Sequence, residues 1–372
     1  MEEEIAKAIN LQRAFIQINE EESIKFIDDL LSSSYVEEKS NVDRFIYIIY
    51  ASLLAKPQYH QNYIKYLVRL IPNLQKLYTV DELLSSIPKY QLFANKYIAT
   101  IMIKNNLFTI EQYREKYPNK YIDFDMVDLN QKEQSLYTSI KNDDIASFQT
   151  IVSHSNLDIN QKLEYNENDF FYIEANIPWN MTYIVEFVVY CGSLKIFKYL
   201  YGHNVNLDLK KLLYYTFSGG NYEIIHLIEE NKYEYDKNDL ALTAIKHHSN
   251  EFINYLIDNY SISVNDNKYI VSCVESNNIE ILQQILEDDY SNYPDLIQCA
   301  VLSSVRKGNL DALKYLADVK KVNLSDKIYY NGATLFKTAV QNYNIEMIKY
   351  IYDKIGDNIN CCDDILMFYS FR

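Results

Sequence analysis

Glycine and proline are both scarce in this chain, with 7 and 6 occurrences among 372 residues. These residues mark tight turns, hairpins and phosphate-binding loops, so their scarcity argues against a β-rich fold, a glycine-rich nucleotide loop and long flexible linkers. It is typical instead of helices joined by short polar turns. We therefore predict an all-α protein, whose hydrophobic residues, 48% of the chain, are ample for a buried core.

Cysteine and histidine offer little chemistry. The five cysteines contain no C-x-x-C unit, and their spacing does not supply a tetrahedral metal site: Cys191, Cys273, Cys299, Cys361 and Cys362. His247 and His248 fall at a predicted turn and, being adjacent, point in different directions, so we interpret them as solvated turn residues. With no separated carboxylate pair evident either, we predict no catalytic residue, no metal and no cofactor.

Long hydrophobic runs and a net positive charge are also missing. The most apolar run, residues 45–55, is about half the length of a membrane helix. The chain opens Met1-Glu2-Glu3-Glu4, unlike a signal peptide, and its formal charge is −15. Such a surface disfavours nucleic acid and anionic membranes and favours a partner with a basic or apolar surface. We expect a cytoplasmic protein that does not insert into membranes.

What the chain does contain is repetition. Seven times it presents a small residue, a turn, an acidic or polar residue and a strongly apolar helix. We call the acidic or polar residue of each copy its reference position: Ala146, Lys195, Glu223, Glu251, Glu280, Asp311 and Glu346. A carboxylate here offsets the positive end of the helix dipole, which is sufficient reason for its recurrence.

Two columns of bulky apolar residues follow the reference positions. One lies two residues later: Phe148, Phe197, Ile225, Ile253, Leu282, Leu313 and Ile348. The other lies five residues later: Ile151, Leu200, Ile228, Leu256, Ile285, Leu316 and Ile351. Positions three apart share one helix face, so the pattern predicts that the second helix of each copy turns this stripe inward. The first helices carry a similar apolar column and a column of mostly small residues.

This pattern resembles the ankyrin repeat, in the divergent form found in protist and large-virus families. The segment Asn331-Gly332-Ala333-Thr334-Leu335-Phe336 looks like the opening turn and first helix of that family, although Leu335 stands where proline is usual. The other six copies lack this opening turn, and most steps between copies are short. The resemblance implies an α-solenoid of ankyrin-like helix-turn-helix repeats, a fold that normally presents a binding surface.

Residues 1–130 do not match the repeat but show amphipathic helical spacing, so we predict an α-helical N-terminal domain there and a repeat domain over 131–372. Two interpretations of the first domain stay open. It caps the apolar end of the repeats, or it is an independent docking domain.

The step between the first two copies is longer than the others, and the excess lies in an insertion at 161–182. It holds aromatic residues among acids: Phe170, Phe171, Tyr172 and Trp179. These residues are candidates for partner binding, because aromatics supply large contact areas at low entropic cost. The alternative is that they fold back and fill a gap in the stack. A second candidate surface, on the first helices, includes Tyr214 and Tyr215.

The sequence therefore predicts a non-enzymatic protein-interaction module that serves as a scaffold or adaptor. The alternative is a structural component built permanently into a cytoskeletal or other large assembly. The sequence does not choose between them.

Overall fold

A computed structural model of the chain describes residues 2–86, 89–118, 135–163, 183–203, 205–230, 236–260, 262, 266–287, 294–324, 329–330 and 333–356. The predicted boundary near residue 130 lies outside them and stays a prediction.

The N-terminal part is helical throughout its described length. Its helices are α1 Glu2–Ile16, α2 Glu21–Ser32, α3 Lys39–Ala55, α4 His60–Arg69, α5 Ile71–Leu77, α6 Val80–Ser85, α7 Lys89–Phe93, α8 Lys96–Lys104 and α9 Ile110–Lys116. Short 3₁₀ turns lie at Ser34–Glu37 and Pro57–Tyr59.

From residue 135 onward, the described helices come in pairs. They are α10 Ser135–Lys141, α11 Ile145–His154, α12 Ile184–Cys191, α13 Leu194–Gly202, α14 Leu209–Gly219, α15 Tyr222–Glu229, α16 Lys237–Lys246, α17 Asn250–Tyr260, α18 Asn267–Ser276, α19 Ile279–Ile285, α20 Pro294–Lys307, α21 Leu310–Lys314, α22 Leu335–Gln341 and α23 Ile345–Ile355. A π-helical turn, Tyr315–Val319, continues α21. Two short strands, Tyr329–Tyr330 and Ala333–Thr334, pair antiparallel before α22. The all-α prediction is confirmed.

The chain forms two compact units. Unit 1 comprises Met1–Ser52, Gln61–Tyr121 and Ser263–Arg372, and unit 2 comprises Leu53–His60 and Ile122–Ile262. Within unit 2, α12 packs against α10 and α14, and α14 packs against α16. Within unit 1, α20 packs against α18 and α22. First helices of successive copies are thus neighbours, as in ankyrin-like stacking.

Each helix pair is joined by one residue in the left-handed conformation, three positions before the reference position. The seven residues, with φ from 49° to 73°, are Asp143, Gly192, Gly220, His248, Asn277, Gly308 and Tyr343. Glycine occupies only three of these seven positions. The other four adopt a φ that most side chains avoid, which is the cost of a turn this short.

The last carbonyls of a first helix have no partner within that helix. In this protein a turn side chain of the next copy supplies the donor. The Oγ of Ser193 donates to the Ile140 carbonyl at 2.5 Å, and that of Ser249 donates to the Phe217 carbonyl at 3.0 Å. In unit 1, Nδ2 of Asn309 donates to the Val274 carbonyl at 3.0 Å. Neighbouring copies are therefore joined by hydrogen bonds as well as by apolar contact.

In unit 1 the N-terminal helices bind the repeats through two arginines. Arg44 of α3 makes a two-pronged contact with Asp311, with both N···O distances at 2.8 Å and the side chains 9% and 11% exposed. Burial opposes the charge of Arg44, but Asp311 and the Tyr35 hydroxyl raise its pKa above the ordinary value. Arg13 of α1 pairs with Glu280 in the same manner at 2.9–3.0 Å, on a more exposed surface. Two reference-position acids thus hold the N-terminal helices, besides lying at helix starts.

A buried polar chain runs beside these pairs. Asn277 donates to Gln12 of α1 at 2.6 Å, Gln12 donates to Ser52 at 2.9 Å, and Asn309 donates to Asn277 at 3.0 Å. Because every link is buried, separating α1 from the repeats would leave several polar groups without partners. The N-terminal helices of unit 1 are therefore integral to its core.

The Arg44 pair yields a stability prediction. Replacing Asp311 by Leu leaves the Arg44 guanidinium buried and uncompensated, so we expect the free energy of unfolding to fall by about 3–5 kcal/mol. Adding Arg44→Met should recover much of that loss. Urea unfolding measures both, with Lys349→Met as control, because Lys349 is 64% exposed in its pair with Glu346 and should change stability by less than about 1 kcal/mol. A double variant as unstable as Asp311→Leu alone would contradict this account.

The turns of unit 2 yield a second prediction. A Cβ added at Gly219 would lie 2.5 Å from the Gly192 nitrogen and 2.6 Å from the Val189 oxygen, whereas one added at Gly202 meets nothing within 4 Å. We expect Gly219→Ala to destabilise the protein by about 2–3 kcal/mol. Gly202→Ala should be neutral or slightly stabilising, since alanine favours the helix. Equal unfolding midpoints for the two variants would show that the turns do not approach this closely.

Candidate partner-binding surface of the repeats

The aromatic residues predicted to bind a partner in the insertion, Phe170, Phe171, Tyr172 and Trp179, lie outside the described residues. The structure does describe the two flanks. Lys162 and Tyr183 form an antiparallel β-bridge, so the two flanks of the insertion lie next to each other. Tyr183 is 40% exposed. The insertion can therefore be shortened without separating the helices on either side.

The other two candidates, Tyr214 and Tyr215, lie in the middle of α14. Tyr215 is buried, at 4% exposure, and Nζ of Lys211 lies 5.8 Å from its ring centroid. Lys211 in turn binds the buried carboxylate of Glu186 at 2.5 Å. Burial raises the pKa of the Tyr215 hydroxyl, and Glu186 and Asp208 raise it further. Tyr215 is thus part of a packed ion-pair cluster, and partner contact through it stays a prediction.

Tyr214 is half-buried and offers part of its ring to solvent. Its pKa is raised by burial first and then by the carboxylates of Asp239 and Asp236. Both carboxylates are exposed and lie at the start of α16. Asp236 is the N-cap of that helix and accepts from the amides of Asn238 and Asp239 at 2.8 and 3.4 Å. We call Tyr214, Asp236 and Asp239 the Tyr214 surface.

The composition of the Tyr214 surface fits a cationic group. Aromatic faces and carboxylates both attract lysine and arginine side chains, and Asp208, the exposed N-cap of α14, adds a further negative charge nearby. The sequence named the tyrosine. It could not show that the charges of these aspartates act on the tyrosine, because that depends on how α14 packs against α16.

The C-terminal end of α14 is covered by residues 53–60 of the same chain. Lys56, 6% exposed, donates to the carbonyls of Phe217 and Ser218 at 2.8 and 2.7 Å, where α14 ends. Gln58 also donates to the Ser218 carbonyl, at 2.9 Å. An ammonium group at a helix C-terminus donates to unpaired carbonyls, and its positive charge interacts favourably with the negative end of the helix dipole. Residues 53–60 are thereby fixed on the turns of unit 2.

His247 corrects one interpretation made from sequence. It is half-buried, and its Nδ1 lies 2.7 Å from the carbonyl oxygen of Ala55, so it is not a solvated turn residue. Desolvation lowers its pKa to about 4, and the neighbouring Lys56 contributes. The contact joins residues 192 positions apart in the chain. The local spacing of His247 and His248 gave no sign of it.

Metal-binding groups, thiols and clefts are further places where chemistry could occur in the described residues. Within them, no group of three or more histidine, cysteine or acidic side chains could hold a metal ion. Cys273 is buried in the small-residue column, and burial raises the pKa of its thiol. A cleft in unit 1 lined by Asp43, Arg44, Lys89 and Asp311 has a volume of about 30 Å³, room for a few waters rather than a substrate. None of the described helices is both long and apolar enough to span a bilayer.

Comparison with known proteins agrees with the helix pairs. A family described as a domain of unknown function, DUF3447, matches residues 203–286. The chain is also similar to ankyrin repeat protein R837 of Acanthamoeba polyphaga mimivirus, with 24% identity over 179 residues. That similarity covers 44% of this chain and 27% of the viral protein, so the chain spans only about a quarter of its relative. No solved structure matches the chain.

The paired helices and these similarities confirm the resemblance to divergent ankyrin repeat proteins that the sequence shows. The DUF3447 match covers α14 to α19, including Tyr214, Asp236 and Asp239.

The Lys56 contact yields a prediction on pH. Burial lowers the pKa of Lys56 to about 7, below the 10.5 of an unperturbed lysine. Between these values the unfolded chain binds more protons than the folded chain, so the free energy of unfolding rises with pH, and below about pH 7 the penalty is constant. Relative to Lys56→Met, the wild type should gain roughly 1 kcal/mol per pH unit between about pH 7.5 and 9.

Urea unfolding at several pH values measures this difference, with the exposed Lys198→Met as the control that keeps the wild-type slope. Parallel stability curves for wild type and Lys56→Met would show that the Phe217 and Ser218 carbonyls hold Lys56 charged throughout.

Proposed function

We propose that this protein is a non-enzymatic protein-interaction module, a scaffold or adaptor that binds a basic partner. The observation that carries the proposal is the Tyr214 surface, a partly open tyrosine with exposed carboxylates on a repeat that matches DUF3447. Similarity to an ankyrin repeat protein supports the class, since repeat arrays present extended binding surfaces. The acidic net charge of −15 supports a basic partner, through steering and complementarity.

In this proposal the insertion contributes a second contact. Phe170, Phe171, Tyr172 and Trp179 would supply apolar area, and the acids around them would extend the negative surface. The bridge between Lys162 and Tyr183 supports this role only in that it holds the two flanks of the insertion together beside the repeats. A cytoplasmic location belongs to the same proposal and rests on the sequence alone.

The alternative proposal is a structural component, held permanently in a cytoskeletal or other large assembly. The chain's many hydrogen-bonded copies and its 36 tyrosines suit a building element. An adaptor should extract into the soluble fraction at ordinary salt. A built-in component should sediment with its assembly until denaturant is added.

The test compares variants of the tagged full chain, purified from its native cell at moderate and high salt, with quantitative mass spectrometry of the retained proteins. Asp236→Asn with Asp239→Asn removes two charges, and asparagine still caps α16. We expect this variant to lose a specific partner by about tenfold, and an insertion variant with 164–182 replaced by a short Gly-Ser linker to do likewise. The matched control is Asp158→Asn with Asp258→Asn, which removes two exposed charges elsewhere in unit 2.

Equal recovery of partners with all three variants would contradict the proposed surface. Recovery of one large assembly at every salt concentration would favour the structural component instead.

A further inference from the structure

The last described helix, α23, carries two apolar faces. Met347 and Ile351 form the first and are fully buried. The second consists of Ile345, Ile348, Tyr352 and Ile355, at a spacing of three, four and three that places them on one side of the helix. Ile345 is 40% exposed and Tyr352 is 52% exposed, while Ile348 and Ile355 are half-buried. We call these four residues the terminal stripe.

The same positions are covered in an earlier copy of unit 1. Counted from the reference positions, Ile279, Leu282 and Leu286 correspond to Ile345, Ile348 and Tyr352. They are 3%, 0% and 0% exposed. The terminal stripe is therefore the counterpart of a face that is buried in that copy, and it is more apolar than an exposed helix side requires. An apolar face of this kind is normally covered by another part of a repeat protein.

The described chain ends at Gly356, directly after the terminal stripe. The residues that follow include a concentrated apolar group, Ile365-Leu366-Met367-Phe368-Tyr369 and Phe371. The segment joining Gly356 to Ile365 can extend about 30 Å, whereas α23, with 11 residues, is about 16 Å long. The apolar group can thus reach any point along the terminal stripe.

We propose that residues 365–371 of this chain bind the terminal stripe and cap the repeats. The occupant is the chain's own segment, because it is tethered next to the stripe, and a tether of this length gives it a millimolar effective concentration that a free partner must exceed. The side chains match in kind, since aliphatic and aromatic groups lie on both sides.

The test is a double-mutant cycle on the full chain. One change is Phe368→Ser with Leu366→Ser, and the other is Ile345→Ser with Tyr352→Ser. If the two groups touch, each change weakens the same contact. Together they should therefore raise the equilibrium constant for unfolding by at least tenfold less than the product of their separate effects. The control pairs the tail change with Phe26→Ser, a residue of α2 that is 37% exposed, and should show simple multiplication.

Multiplicative effects in the stripe cycle would overturn the proposal. A concentration-dependent dimer, seen by light scattering and abolished by the stripe change but not by the tail change, would also overturn it and assign the stripe to a second copy. Deletion of 365–372 is a second measurement: it should increase binding of an apolar fluorescent dye, and no increase would contradict the cap.

Discussion

This fold depends on hydrogen-bond donors for the carbonyl groups at the ends of the first helices. A helix that stops at a one-residue turn leaves its last carbonyls without partners, and burial makes them costly unless a donor is supplied. Ser193, Ser249 and Asn309 supply it from the following copy. The N-terminal part answers the same demand, with Lys56 on the Phe217 carbonyl and Tyr47 on the Val274 carbonyl. The stacking of the copies and the attachment of the N-terminal helices therefore use the same kind of contact, a hydrogen bond from a side-chain donor to an unpaired helix carbonyl.

Such hydrogen bonds between distant residues limit how much of the structure could be predicted from the sequence. The helix pairs and their buried columns follow from spacing alone, because helical periodicity is local and each copy repeats it. The turn residues were less regular. His248 and Tyr343 hold the left-handed position that glycine holds at Gly192, so no single residue type marks it.

Contacts between residues far apart in the chain could not be predicted from the local sequence around either residue. The recurrence of Glu280 and Asp311 was sufficiently explained by the helix dipole, yet these acids bind Arg13 and Arg44, each 267 positions away. Nothing in an isolated repeat distinguishes an acid that only faces a helix start from one that also receives an arginine. The N-terminal block similarly reads as a cap or a separate domain, and the sequence gives no sign that Met1–Ser52 and Gln61–Tyr121 share a compact unit with Ser263–Arg372.

The candidate binding surface illustrates the same limit at the level of one residue. With 36 tyrosines in the chain, the identity of Tyr214 alone has little weight. Its environment is informative, because Asp236 and Asp239 leave their carboxylates exposed beside a ring that is only half-buried. Tyr215, one position later, faces the packed pair of Lys211 and Glu186 instead.

The two ends of α14 have different tasks. Residues 53–60 occupy its C-terminal end through Lys56, whereas the acids near Tyr214 lie at the N-terminal ends of α14 and α16. A helix of 11 residues is about 16 Å long, so a cation could approach Asp208 and Asp236 without disturbing Lys56. The carbonyl end already holds a lysine, whereas the exposed carboxylates of Asp208, Asp236 and Asp239 lie at the other end. A basic partner would thus leave the hydrogen bonds of the turn in place.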